Sequence, residues 1–196
     1  MADKFQYNKI SMQNMKKQLQ IRERALPTLQ AKEAALRIEV KKAKAIAVDF
    51  RQQLTRREEE QEPLRRLWNE FPDILRIDDV KLSIKKIAGV QTPVIEDIVF
   101  KLDGFSLFNA PAWLLQGIEL LKENVRLSLE AVIAERKAEL LDHARRKTTQ
   151  KVNLYERVQI PGYKEAITKI KRFLEDVENL SKSSQKMLKQ RMAKAG

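Results

Sequence analysis

The chain has 196 residues, with 39 Lys and Arg against 27 Asp and Glu, giving a formal charge of +12. Five Gly leave little material for phosphate-binding loops, absent Cys excludes disulfide scaffolds and thiol catalysis, and one His excludes most metal and imidazole chemistry. What remains, at 43% hydrophobic and 34% charged, is a mainly α-helical, highly charged and elongated protein.

The N-terminal stretch Met1-Ala2-Asp3-Lys4 has no apolar run behind it and does not read as a signal peptide. From Met12 the apolar residues fall at alternating steps of three and four. The ladder reads Met12, Met15, Leu19, Arg22, Leu26, Leu29, Glu33, Leu36, Val40, Ala43, Ala47, Phe50 and Leu54, apolar at all but Arg22 and Glu33. A heptad pattern held this long is a coiled-coil seam, because 3.5-residue spacing keeps one narrow stripe facing a partner helix. Pro27 interrupts it and predicts a kink or a helix start. The helix is expected to run to about Glu70 and to stop at Phe71-Pro72. Continuous from Met12 to Asn69, it would span roughly 87 Å at ~1.5 Å per residue and would need a second long helix beside it.

Between residues 71 and 111 the period changes to two. Val80, Leu82 and Ile84 alternate with polar residues, and so, more loosely, do Ile98, Phe100 and Leu102. Turn residues at Ala88-Gly89 and Thr92-Pro93 predict a β-hairpin or a pair of short strands, which must pack on a helix to be stable. Asn109-Ala110-Pro111 reads as a helix start. The run from Phe105 to Leu121 is interrupted by Asn109, Pro111, Gln116 and Glu119, too polar for a membrane span.

A second helical region is expected from Ala112 to Met192. Its end carries a ladder of Ile167, Ile170, Leu174, Val177, Ser181, Ser184 and Leu188, whereas no single register fits Glu135 to Lys151. Pro161-Gly162 predicts a kink or a break. The fold class is therefore mainly α. An N-terminal helix (1–70) and a C-terminal helix (112–196) form a long antiparallel two-helix coiled coil around a small insertion (71–111) with a β-hairpin.

No group of residues builds a catalytic, cofactor or metal site. Gly occurs only at 89, 104, 117, 162 and 196, which rules out a phosphate-binding loop motif. His143 lies among cations and reads as an ordinary helix histidine. Glu58, Glu59, Glu60 and Glu62 read as a solvated face, and Trp68 and Trp113 as packing the junction with the insertion. Charge is more informative. Residues 1–24 carry six cations and two acids, and residues 182–196 carry five cations and no acid. An antiparallel hairpin would gather these at one strongly basic tip, suited to an acidic protein collar, an anionic membrane or a phosphate backbone. Few aromatics accompany the charge, which disfavours nucleic acid.

Val152-Asn153-Leu154-Tyr155-Glu156 and Ile160-Pro161, after the basic run Arg145-Arg146-Lys147, resemble a V-N-x-L-E-x-V-x-I-P motif of the D subunit of V-type rotary ATPases. The helix from Tyr163 to Glu175 continues the likeness. Ile87 to Glu96 resembles that family's G-V-x-x-P-x-x-E element, and Leu29 to Leu36 stands where it has an L-x-x-K-R-D-x-L run.

The resemblance implies a non-catalytic central rotor shaft coupling ATP hydrolysis or synthesis to proton or sodium transport. Its implied partners are a catalytic head of A and B subunits, a small F subunit along its side, and a cap subunit leading to the membrane ring. It implies no cofactor, no membrane insertion and no direct nucleic-acid contact, and a peripheral place at the cytoplasmic face of a prokaryotic membrane. On that basis Lys16, Lys17, Lys182, Lys186, Lys189 and Arg191 are expected to face the head. Arg145, Arg146, Lys147 and Gln150 are expected to face the F subunit. The alternatives are a basic coiled-coil adaptor or tether, which would form a homodimer, and a nucleic-acid-binding protein with salt-sensitive affinity.

Overall fold

The computed structural model describes residues 6–64, 68–104, 111 and 113–195. The expected helix start at Asn109-Ala110 and the aromatic Phe5 lie outside them. Helix α1 spans Lys9–Gln61, β1 Leu75–Ile87 and β2 Val90–Leu102; α2 spans Leu114–Asn153 and α3 Ile160–Ala195, joined by a π-helical segment, Leu154–Gln159. The chain separates into two compact units. The chain-end unit comprises residues 1–31 and 148–196, and the central unit residues 32–147.

All thirteen ladder residues of α1 are buried or half-buried, and Leu36, Val40, Ala43 and Ala47 are the most buried. Pro27 is exposed inside α1, which runs on through it, so it does not start a helix. The helix ends earlier than Phe71-Pro72 suggests. Glu62–Leu64 is a 3-10 turn around Pro63, whose ring crowds the preceding turn and whose nitrogen cannot donate.

In the central unit, Leu36, Val40 and Ala43 form one buried cluster with Ala138 and Leu141 of α2. Arg51 pairs with Glu135 at 2.6 Å, whereas Arg57 pairs with Glu123 at 3.0 Å and Gln61 with Asn124, so residues later in α1 meet residues earlier in α2. The helices are antiparallel. Far from lacking a register, α2 buries Leu127, Ala131, Ala134, Ala138 and Leu141 at steps of four and three. Small side chains carry this seam, which is why hydrophobicity alone hides it.

The hairpin is longer than its alternating core suggests. β1 and β2 pair antiparallel over thirteen residues each, around Ala88-Gly89, and Thr92-Pro93 lies inside β2 instead of turning. Pro93 is tolerated because a two-stranded ribbon has only edges. Asp78 on β1 and Glu96 on β2 are each an extra, unpaired residue, so two bulges on opposite strands cancel and the register recovers. The turn has φ of 49° at Ala88 and 79° at Gly89, the left-handed pair that matches strand twist in a two-residue hairpin. Ala88 bears a left-handed cost of about 1–2 kcal/mol, offset by packing of Ile87, Ala88 and Val90 on the Leu36 cluster. The two strands thus gain the helical support they need. Fully buried Thr92 donates its hydroxyl to the carbonyl of Lys85 at 2.9 Å.

Near its start α2 packs on the chain that follows α1. Rings of Trp68, Phe71 and Trp113 contact one another in series, with centroids 5.9 and 6.2 Å apart, so the two tryptophans do close a junction at the insertion. Gly117 makes room: a Cβ there would lie 3.2 Å from the Phe71 ring.

In the chain-end unit α1 and the second strand are again antiparallel. Tyr7 packs on Phe173 at 4.9 Å, and Glu23 pairs with Lys164 at 2.9 Å. Pro161-Gly162 neither breaks nor ends the helix. The backbone widens just before it, with the Ile160 N–H donating to the Tyr155 carbonyl. Ile160, Ala166 and Ile170 are buried, but every residue from Glu175 to Lys194 is exposed. The lower half of the predicted C-terminal ladder, Val177, Ser181, Ser184 and Leu188, is helical yet has no partner among the described residues.

Candidate partner-binding surfaces

Two surfaces follow from this architecture, one in each unit. The first is the exposed length of α3 beyond Phe173. Val177, Leu180, Met187, Leu188 and Met192 lie at helical spacing and are 48–77% exposed. Lys182, Lys186, Lys189, Arg191 and Lys194 accompany them, with no acid from Lys182 onward. Lys182 pairs with Glu178 at 2.7 Å, and that hydrogen bond and charge hold the Glu178 carboxyl below its usual range. Lys186, Lys189 and Arg191 make no ion pair among the described residues.

The expected basic tip is thereby divided. Lys16 and Lys17 are exposed on the paired length of α1, upstream of Arg22, which meets Gln159. The other four cations lie past Glu178, where Lys9 marks the start of α1. Helix lengths decide this: α3 outruns its partner, so cations near both chain ends share a direction without sharing a place.

The second surface is an open groove of about 990 Å³ in the central unit, between α1 and α2. Ala47 and Ala138 form its floor; Lys44, Arg51, Arg56 and Glu59 line it from α1, and Glu135, Glu139 and Arg146 from α2. A shallow trough with an alanine floor and a mixed-charge rim suits an elongated polypeptide lying along it.

Of the residues expected to face a small partner, Arg146 reaches this groove, whereas Arg145 turns inward. Both donate to Asp142, Arg145 Nε to Oδ1 and Arg146 Nε to Oδ2, each at 2.9 Å. Asp142 is 8% exposed. Burial pushes its carboxyl up, but the Arg145 hydrogen bond and the charges of Arg145, Lys44 and Arg146 outweigh it, so the group stays below its ordinary value. Lys147 and Gln150 are exposed. His143 lies exposed at the groove edge. Among the described residues, no three His, Cys, Asp or Glu are placed to share a metal ion.

A lowered carboxyl contributes stability that is complete above the unfolded value near ~3.9 and is lost as pH falls toward the folded one. Asp142→Asn is expected to cost about 1–3 kcal/mol at neutral pH, because Arg145 and Arg146 lose a charged acceptor. Urea midpoints measured from pH 6 down to pH 3 should fall less steeply for the variant. Equal slopes would show that Asp142 does not carry the acid sensitivity.

Seam-packed antiparallel helices, a supporting hairpin and two elongated exposed faces define a helical scaffold. The profile of the ATP synthase D subunit family matches residues 11–190. The chain is 31% identical over 195 residues to the V-type ATP synthase D subunit of Borreliella burgdorferi, covering 97% of this chain and 96% of that one. It is 27% identical over 198 residues to the V-type ATP synthase D subunit of Chlamydia muridarum, covering 98% of each. The chain belongs to the ATP synthase D subunit family, whose members are central-stalk components of V-type rotary ATPases.

Proposed function

We propose that the chain is the rotor shaft that carries torque between an A/B catalytic head and a membrane ion-translocating ring, without catalytic residues of its own. The observation that carries this is the antiparallel seam in both units with a bare, basic, amphipathic helix end beyond it. Seam-packed helices resist twist better than single helices or Gly-containing linkers, because close-packed interiors yield little under load.

In this reading Lys182, Lys186, Lys189 and Arg191 meet acidic rims of the head, with Lys16 and Lys17 further down the shaft. The groove of the central unit takes the small F subunit, with Arg146 at its edge and Lys147 and Gln150 close by in sequence. A cap subunit links the chain to the membrane ring. Among the described residues no helix is long and apolar enough to cross a membrane. In this reading the chain is a peripheral subunit at the cytoplasmic face of a prokaryotic membrane. A homodimeric tether is not favoured, since the chain supplies both of its own seam strands. A nucleic-acid binder is not favoured either.

Affinity purification from native membranes tests the proposal. One copy of the chain should come away with ATPase head subunits and a small stalk subunit. A homodimer free of head subunits would overturn it.

A further inference from the structure

The chain-end unit contains one residue more on one strand than its heptads require. On α1 the seam keeps regular steps through Met15, Leu19, Arg22 and Leu26. On the other strand the inward residues include Thr148, Val152 and Tyr155, then Gln159 and Ile160 side by side, then Tyr163, Ile167, Ile170 and Leu174. Every step is three or four except that Gln159 and Ile160 are neighbours, so the ladder carries one residue more there. An inserted residue can be spread over several turns by altered winding, or taken up in one wide turn. Here it is taken up in the π segment Leu154–Gln159.

Arg22 faces that segment from a seam position where an apolar residue would ordinarily sit. Its Nε donates to Oε1 of Gln159 at 2.6 Å, and its Nη1 donates to Oε1 of Gln18 at 2.6 Å and to the Gln18 carbonyl at 3.1 Å. The guanidinium carbon lies 4.8 Å from the Tyr163 ring centre and 5.9 Å from that of Tyr155. One planar group thus contacts a residue at the start of the wide turn, one inside it and one beyond it.

We infer that Arg22 is a register lock, fixing the extra residue at 154–159 and with it the alignment of the two strands of this unit. Tyr155, Gln159 and Tyr163 converge on one guanidinium only while the extra residue lies between Tyr155 and Ile160. Moving the wide turn by one helical turn rotates Gln159 or Tyr155 off the seam and strands the charge among apolar side chains. An aliphatic residue at position 22 would pack equally well in either arrangement, which is how a polar seam residue specifies register at some cost in stability. Proline alone does not account for the wide turn, because α1 stays a regular helix around Pro27.

Glu23 and Lys164 provide a native reporter beside the lock, carboxylate and amine lying 2.9 Å apart across the strands. A water-soluble carbodiimide joins such a pair as an amide, the water formally lost converting the reagent to its urea. Peptide mapping of the full chain should find the Glu23–Lys164 bond as the main inter-strand product. In Arg22→Met its yield should fall at least about threefold and amide protection over residues 154–162 should drop, with helical circular dichroism retained. Deleting the 60%-exposed Val158 in the Arg22→Met background removes the extra residue and should restore the single product. If Arg22→Met lost its helix signal, Arg22→Lys, which keeps the charge without the planar fork, gives the same readout. Unchanged yield in a folded Arg22 variant, or no rescue by the deletion, would overturn the lock.

Discussion

Leu36→Ala is expected to remove about 2–5 kcal/mol from the central unit, a large share of the ~5–15 kcal/mol that holds a typical domain. Leu36 is 0% exposed and sits where three elements meet, α1, α2 and the hairpin tip at Ile87, Ala88 and Val90. Two of its four cluster neighbours, Ala43 and Ala138, have no side-chain length with which to fill a void, and the other two, Val40 and Leu141, are already packed. The cavity therefore persists, and the cavity cost adds to the lost transfer free energy. Ala88 also loses the contact that offsets its left-handed backbone, so the hairpin should loosen with the helices. Urea unfolding followed by circular dichroism measures the loss, and amide exchange in β1 and β2 should rise with it. Leu188→Ala, the same deletion on the bare end of α3, should change stability by less than about 0.5 kcal/mol. A small effect at Leu36 would mean that the hairpin carries its own stability, contrary to what a lone two-stranded ribbon allows.

Much of this fold is legible in the sequence because α1 repeats with nearly no error. Its ladder fixes a face, and all thirteen residues point where the spacing puts them. Three features are not legible, each for a physical reason. The end of α1 reads too late because the ladder phase continues through Arg57, Gln61 and Leu64 even though Pro63 disrupts the helix. The seam of α2 is hidden because Ala131, Ala134 and Ala138 give little hydrophobic signal while allowing close packing. The C-terminal register does not join the one before it because one residue too many lies between Tyr155 and Ile160, and nothing local announces a π turn. Arg22 is visible as an oddity in the ladder. Its partner Gln159 lies 137 residues away in sequence, a relation that only the folded pairing reveals. The basic residues are equally plain, but their separation depends on how far α3 outruns α1. Unequal helix lengths leave open, in sequence, whether the longer strand overhangs or packs near Trp113, and both occur.

Truncation after Leu180 is expected to leave the chain-end unit folded while weakening its hold on the catalytic head at least about tenfold. The removed residues are exposed throughout the described length, so no buried contact is lost; the Glu178–Lys182 pair is solvent-facing, and such pairs are worth little. What disappears is five cations together with Met187, Leu188 and Met192. These two sets should act on different rate constants. Neutralising Lys186, Lys189 and Arg191 to Gln should slow association and flatten its salt dependence, because exposed charges act over about a Debye length and guide encounter. Changing Met187, Leu188 and Met192 to Ser should leave association nearly unchanged and speed dissociation, because apolar anchors are desolvated only after docking. Lys16→Gln with Lys17→Gln should have the smaller effect, since those residues lie on the paired shaft. Surface binding to immobilised head subunits at two ionic strengths separates the outcomes. A truncated chain that binds as tightly as the full one would remove the head from this end of α3.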